Sequence, residues 1–252
     1  MTVQELKEIV VEANKELPRR HMVLYSWGNV SAIDRDKGII VIKPVGIPYD
    51  DLTTENVSVV DLQGNKVAGE KNPLNPSVDL DIHRALYENF PECNAIVHTH
   101  STYATVMAQL HRDVPCFGTT HADYFAGSVP CVEALSDEEI IHDYEWNTGM
   151  AIVKYFQKYG ISPADVPAAL SINHGPFTWG EDCWDAVHKA VVLEEICKMA
   201  VHMLAIEPDW QPIPKVMSDK HFYRNTGRTR ILPMTITDME WYIINKNLRR
   251  GI

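Results

Sequence analysis

The stretch Ile96-Val97-His98-Thr99-His100 sets two imidazoles two residues apart behind an apolar run. In a strand, residues two apart point to the same face, so His98 and His100 would project together. Two imidazoles at that spacing suit a divalent metal such as zinc. The same pair also reads as polar residues at a strand end near water. Asp79, in Pro76-Ser77-Val78-Asp79, opens a predicted helix. There it either caps the helix or supplies a carboxylate ligand, and a helix N-terminus favours negative charge in both cases. His174, in Ile172-Asn173-His174-Gly175-Pro176, follows a short predicted strand at a sharp reversal, a place from which a side chain can be aimed into a site. One carboxylate and three imidazoles would fill a zinc shell that substrate expands. With a single protein charge in that shell, the ion stays net positive and acts as a Lewis acid.

Two further segments carry chemistry. In Thr119-Thr120-His121-Ala122-Asp123-Tyr124, Asp123 is a candidate general acid/base and the threonine hydroxyls are candidate anion ligands. The same letters also describe a polar turn. Lys220-His221-Phe222-Tyr223-Arg224 gathers cations in an acidic chain. It is either a solvated face or, through Arg224, a bidentate phosphate contact. His83 stacks one helical turn after Asp79 and is a candidate support for it.

These residues need elements to hold them. Leu6, Ile9, Val10, Ala13 and Leu17 predict a helix over 2–16 that Pro18 stops. Two short strands follow, joined by Asp36-Lys37-Gly38, and a second pair, NVSVVDL and KVAG, turns at Gln63-Gly64-Asn65. Helices are expected at 79–90, 101–110, 136–159 and 183–205, with strands at 94–100 and 168–172. The last forty or so residues, rich in proline, read as irregular. Consecutive strands joined by tight turns point to a mixed or antiparallel sheet with helices on its faces rather than a doubly wound parallel sheet. Neither G-x-G-x-x-G nor G-x-x-x-x-G-K-[ST] occurs, so nucleotide sites built on those loops lose support.

Composition narrows the partners. The chain has 252 residues, 45% hydrophobic and 23% charged, an ordinary globular mixture. With Lys+Arg 23 against Asp+Glu 34 the net charge is −11, which argues against non-specific nucleic-acid binding. No apolar run reaches a membrane span, and the acidic amphipathic start is unlike a secretory signal. The five cysteines are scattered without a C-x-x-C pair. A reduced, cytoplasmic setting without disulfides is the expectation, which makes the sequon at Asn29 a chance match.

Taken together, the motifs resemble the class II aldolase and ribulose-phosphate epimerase superfamily, on its epimerase branch. The matching stretches are Trp27-Gly28-Asn29-Val30-Ser31, Val41-Ile42-Lys43-Pro44, Ile96 to Ser101, Gly118 to Phe125, His174-Gly175-Pro176-Phe177 and Asp219-Lys220-His221. The resemblance spans about residues 3–230. It implies an α/β fold with three αβα layers around a mainly antiparallel sheet, and a cyclic homotetramer with sites between subunits. It divides the chain into a catalytic domain over 1–207 and a C-terminal segment over 208–252 that serves the neighbouring site and ends in an atypical extension.

The metal ligands it implies are Asp79, His98, His100 and His174. The ion would be Zn²⁺, one per subunit, with Mn²⁺ or Co²⁺ as alternatives. Asp rather than Glu at position 79 favours the epimerases over the aldolases. The implied reaction converts L-ribulose 5-phosphate to D-xylulose 5-phosphate by retro-aldol cleavage and re-addition, a step of pentose phosphate and arabinose catabolism. Asp123 would move a proton. Asn29, Lys43, Gly46, Ser77, Thr119 and Thr120 would line the substrate, joined across the interface by His221 and Arg224.

Three positions depart from the family pattern. Val45 and Val78 stand where serines of the phosphate site are usual, and losing two hydroxyl donors costs about a few kcal/mol unless backbone N–H groups serve instead. Leu232 stands at the catalytic tyrosine position, with Tyr223 and Tyr242 as substitutes. These departures keep two other readings open. One is a lyase of the same superfamily acting on a related sugar or sugar acid. The other is a metal-bound paralogue without catalysis, which a full ligand set and Asp123 argue against.

Overall fold

The computed structural model describes residues 1–67 and 74–227. Six strands form one sheet: β1 (Asn29–Asp34), β2 (Ile39–Ile42), β3 (Ser58–Asp61), β4 (Ala95–His98), β5 (Ala168–Ser171) and β6 (Gly175–Gly180). Their order is β3-β2-β1-β4-β6-β5, and every neighbouring pair is antiparallel. Eight helices are described: α1 (Val3–Arg19), α2 (Leu80–Asn89), α3 (Thr102–Gln109), α4 (Thr119–Ala122), α5 (Asp137–Ile141), α6 (Tyr144–Tyr159), α7 (Cys183–Ile206) and α8 (Lys215–Thr226).

Alternation along the strands builds two cores. Val30, Ala32, Ile39, Val41, Val59, Ala95 and Val97 face α1 and the first half of α7. Ile33, Ile40, Ile42, Val60, Ile96, Phe177 and Trp179 face α2, α3, α6 and the second half of α7. Each fully buried aliphatic or aromatic side chain contributes roughly 1.5–3 kcal/mol. The result is helix, sheet, helix, as expected. α2 and α6 meet so closely that a Cβ on Gly149 would lie 2.7 Å from Ala85 Cβ and 2.8 Å from the Ile82 carbonyl oxygen.

Several elements differ from the sequence expectation. α1 runs one residue past Pro18, and the reversal falls at His21, whose φ is 57°. The single helix expected over 136–159 breaks at Asp143, which adopts φ 56°. The Asn147 amide donates to the carbonyls of Glu139 and His142 at that break, replacing lost helical bonds. β6 was not expected, because Gly-Pro at its start reads as a loop. α8 was not expected either; Pro214 ends up just outside its first turn. Of the KVAG strand, Lys66 and Val67 pair back onto β3, while Ala68 and Gly69 lie outside the described residues.

Candidate metal centre and acid–base cluster

Register places Asn29, His98 and Phe177 side by side on three adjacent strands. By alternation all three face α2 and α6. The His98 ring stacks on Phe177 at 4.3 Å and 16°. Its Nδ1–H donates to the Pro176 carbonyl at 3.0 Å, which leaves Nε2 as a lone pair. β4 ends at His98, so His100 reaches the site from beyond the strand rather than by strand alternation. Its Nε2 lies 3.1 Å from His98 Nε2. Two nitrogens bound to one tetrahedral zinc sit about 3.3 Å apart, so the spacing suits a shared ion.

His174, on the β5–β6 turn, brings its ring to 4.6 Å from His98 and 5.1 Å from His100. One ring nitrogen from each of the three lies within 4.8 Å of the others. His174 Nδ1 is buried with no hydrogen-bond partner, as a nitrogen awaiting an ion would be. Glycines permit the approach of these chains. A Cβ on Gly175 would fall 2.6 Å from the Thr99 carbonyl oxygen, and one on Gly28 (φ 87°) 2.6 Å from that of His98. Just after His100, both carboxylate oxygens of Glu194 accept from the N–H groups of Tyr103 and Ala104, anchoring the start of α3.

Asp79 occupies the N-cap position of α2 but its side chain caps nothing. Instead Oδ2 accepts from Asn29 Nδ2 at 2.8 Å and from Ser77 Oγ at 3.2 Å. Burial alone would raise this carboxyl; its coupling to His98, His83 and His174 together with the hydrogen bond from Asn29 brings it below the ordinary carboxylate value. Burial pushes His98 down to about 3, against the pull of Asp79. It lowers His100 and His174 too. Neutral imidazoles beside an ionised carboxylate are the protonation states that metal ligation requires. The three imidazoles are grouped as ligands of a divalent ion would be, and Asp79 is the carboxylate coupled to them, its Oδ2 held by Asn29 and Ser77.

Lys43, the residue after β2, lies within reach of the Asp79 charge. Burial lowers its ammonium to about 8, opposed by Asp79. Nζ lies 3.4 Å from the Ser26 carbonyl oxygen and 4.9 Å above the Tyr49 ring. Gly46, with φ 73°, has open space where a side chain would be. Val45 and Val78 are 48% and 64% exposed, so both are unburied methyl groups flanking a polar wall. At position 45 the backbone N–H does not replace the missing hydroxyl, because it is committed to the Asn75 carbonyl at 3.1 Å.

Asp123 belongs to a second group. It follows the short α4, whose Thr119 and Thr120 are exposed. Its Oδ1 lies 3.0 Å from His221 Nδ1 and 3.6 Å from Arg224 Nη2, and Asn225 Nδ2 donates to its backbone carbonyl. The resemblance sends His221 and Arg224 toward a neighbouring subunit; here both close on the Asp123 of their own chain. Arg224 Nη2 also lies 3.0 Å from His221 Nδ1. One ring nitrogen cannot both donate to the carboxylate and accept from the guanidinium. The two contacts at Nδ1 are therefore alternatives that belong to different tautomers of His221.

Tyr223 packs edge-on against Phe222. Leu232 and Tyr242 lie outside the described residues. Sequence reasoning left out Asn225, which nothing in the pattern marks. It also left out Ser31 and Tyr87, although Asp79, His83 and Tyr87 recur at four-residue steps, which is a readable signal of one helix face.

Comparison with known proteins agrees with this architecture. The model of the class II aldolase and adducin N-terminal domain family matches residues 8–201. A protein of Salmonella paratyphi C (strain RKS4594) named L-ribulose-5-phosphate 4-epimerase UlaF is 46% identical over 225 residues, covering 89% of this chain and 96% of its own. The crystal structure of YgbL from Klebsiella pneumoniae, described as a putative aldolase/epimerase/decarboxylase, superposes with a TM-score of 0.68 at 28% identity, over 87% of this chain and 99% of the other. An L-fuculose 1-phosphate aldolase shares the fold with a TM-score of 0.68 at 24% identity, over 86% and 95%. No helix among the described residues is long and apolar enough to cross a membrane. The chain belongs to the class II aldolase and adducin N-terminal domain family.

Proposed function

We propose that this chain is a metal-dependent epimerase that inverts C4 of a pentulose 5-phosphate, L-ribulose 5-phosphate to D-xylulose 5-phosphate. The observation that carries the reading is the convergence of the His98, His100 and His174 ring nitrogens, with Asp79, whose side chain caps no helix, coupled to them by its charge. The 46% identity to a protein named for that reaction supplies the substrate class. His98, His100, His174 and Asp79 would hold the ion, with zinc as the first choice for this donor set. When bound, a divalent ion supplies Lewis-acid stabilisation of negative charge on the substrate oxygens.

The chain's own groups have separable tasks. Asn29 commits both amide hydrogens, to Asp79 and to Ser77, so it orients the carboxylate; its buried Oδ1 lacks a partner and can accept from a substrate hydroxyl. Lys43 is a buried cation whose Nζ lies beside the Ser26 carbonyl and the Tyr49 ring and is opposed by the charge of Asp79, and an anionic substrate end beside it would add to that charge balance. Asp123 takes the C4 hydroxyl proton as the C3–C4 bond opens and returns it when the bond re-forms on the other face. His221, Arg224 and the hydroxyls of Thr119 and Thr120 would hold the same end of the substrate. The imidazole centre and Asp123 are built on different elements with separate contacts, and a cyclic tetramer that joins one protomer's centre to a partner's Asp123 accounts for that separation.

A lyase of the same superfamily is the second reading, favoured by the two exposed valines at the pocket wall. Incubation of the zinc-loaded protein with L-ribulose 5-phosphate separates the two. D-xylulose 5-phosphate that stops forming on chelation is the expected result. Dihydroxyacetone and glycolaldehyde phosphate without epimer would overturn it in favour of the lyase.

A further inference from the structure

His83 is fully buried on α2, one turn after Asp79 and one turn before Tyr87. Its Nδ1 lies 2.7 Å from Ser31 Oγ, and Ser31 Oγ lies 2.7 Å from the Tyr87 hydroxyl. Ser31 shares the sheet face of Asn29 and His98 by alternation on β1 and its register with β4. The His83 ring stands edge-on to Phe177 at 6.2 Å, the same ring on which His98 stacks. The four-residue step from Asp79 puts His83 on the same face of the helix as that carboxylate. Its Nε2 is buried and has no hydrogen-bond partner.

We infer that His83 is a positioning residue for Asp79, held by the Tyr87–Ser31 pair of hydroxyls so that its Nε2–H is presented to the carboxylate side of the metal centre. This rests on the metal-site reading above. The argument is one of donor order. A neutral imidazole has one donor and one acceptor nitrogen. With the proton on Nδ1, His83 donates to Ser31 and Ser31 to Tyr87. The Tyr87 proton then loses its described partner, and Nε2 turns a bare lone pair toward an anionic site. With the order reversed, Tyr87 donates to Ser31, Ser31 donates to Nδ1, and Nε2 carries the proton. Only the second order satisfies both hydroxyls and gives the negative centre a donor. The protonated Nε2 has no acceptor among the described residues, and Asp79, at the start of the same helix one turn earlier, is the acceptor assigned to it. Tyr87, deep in the core, thereby fixes the tautomer of a group beside the site. Partners that orient ligands in this way set metal affinity.

Two amides split the imidazole into its ends. His83→Asn keeps a group near the Nδ1 position and removes the Nε2 end; His83→Gln does the reverse. Zinc affinity, measured by competition with a chromophoric chelator, is expected to fall about 10–100-fold in His83→Asn. In His83→Gln it should stay within about threefold of the unaltered protein, although its metal-free unfolding midpoint drops. Equal affinity in His83→Asn and the unaltered protein overturns the inference, as does an equal loss in both variants. Tyr87→Phe keeps the test alive if neither amide variant folds: freeing the hydroxyl order should weaken zinc roughly three- to tenfold, and no change overturns the inference. If the unaltered protein takes up no zinc, manganese or cobalt, the metal-site reading itself fails. Uptake by the unaltered protein that the variants leave untouched sinks only the role of His83.

Discussion

Three imidazoles converge at the end of a buried sheet, whereas Asp123, His221 and Arg224 meet on helices near the surface. The first group is fixed by backbone. Strand register sets Asn29, His98 and Phe177 abreast, a carbonyl pins His98 Nδ1, and two glycines let the neighbouring chains approach closely. In the second group the contacts at the Asp123 carboxylate come from side chains, beside a four-residue helix and on a helix near the end of the described chain. Ion binding needs nitrogens placed to a few tenths of an ångström, which only the core can guarantee. Proton transfer tolerates a group that shifts by a rotamer and closes on substrate when it arrives. One region is preorganised and the other is adjustable.

Replacing one residue from each region tests that division. His98→Ala removes a ligand and the ring stacked on Phe177. Turnover of L-ribulose 5-phosphate should fall on the order of 10⁴-fold, with loss of bound zinc measured by metal analysis. Asp123→Asn should lower turnover on the order of 10²–10³-fold while zinc content stays that of the unaltered protein. Zinc lost together with activity in Asp123→Asn would break the comparison, because the surface group would then be part of what holds the ion.

The same contrast explains what could be read from the sequence. The imidazole centre was legible because strand alternation and the His-Gly-Pro turn are local signals. His100 reached its place by a different route, since β4 stops at His98, yet spacing still marked it. β6 was hidden because Pro176 and the flanking glycines imitate a loop; its partners β4 and β5, far away in sequence, make it a strand. The break at Asp143 was hidden because its compensation comes from the Asn147 amide, a tertiary detail. α8 and its Asn225 contact were hidden by surrounding prolines and by docking onto a helix about a hundred residues earlier. Signals carried by neighbours in sequence were readable, and those carried by neighbours in space were not.

A buried histidine also lies under the adjustable region, which gives a smaller effect to measure. His121, on α4 beside Asp123, donates from Nε2 to the Gly127 carbonyl at 2.7 Å, so its Nε2 carries the proton. Burial pushes this imidazole down to about 4 from 6.5, against that hydrogen bond. The unfolded chain therefore binds a proton between about pH 6.5 and 4 that the folded chain refuses. Stability is whole above that window and falls as pH drops through it, by roughly 3 kcal/mol in total for this one group. Urea unfolding of the metal-free protein across pH 7 to 4 should show the fall. His121→Phe loses the Gly127 bond and starts lower, but its slope against pH should be shallower by close to one proton. An unchanged slope would mean that α4 opens to water before the rest of the molecule unfolds. The region around Asp123 would then be adjustable in its backbone as well as in its side chains.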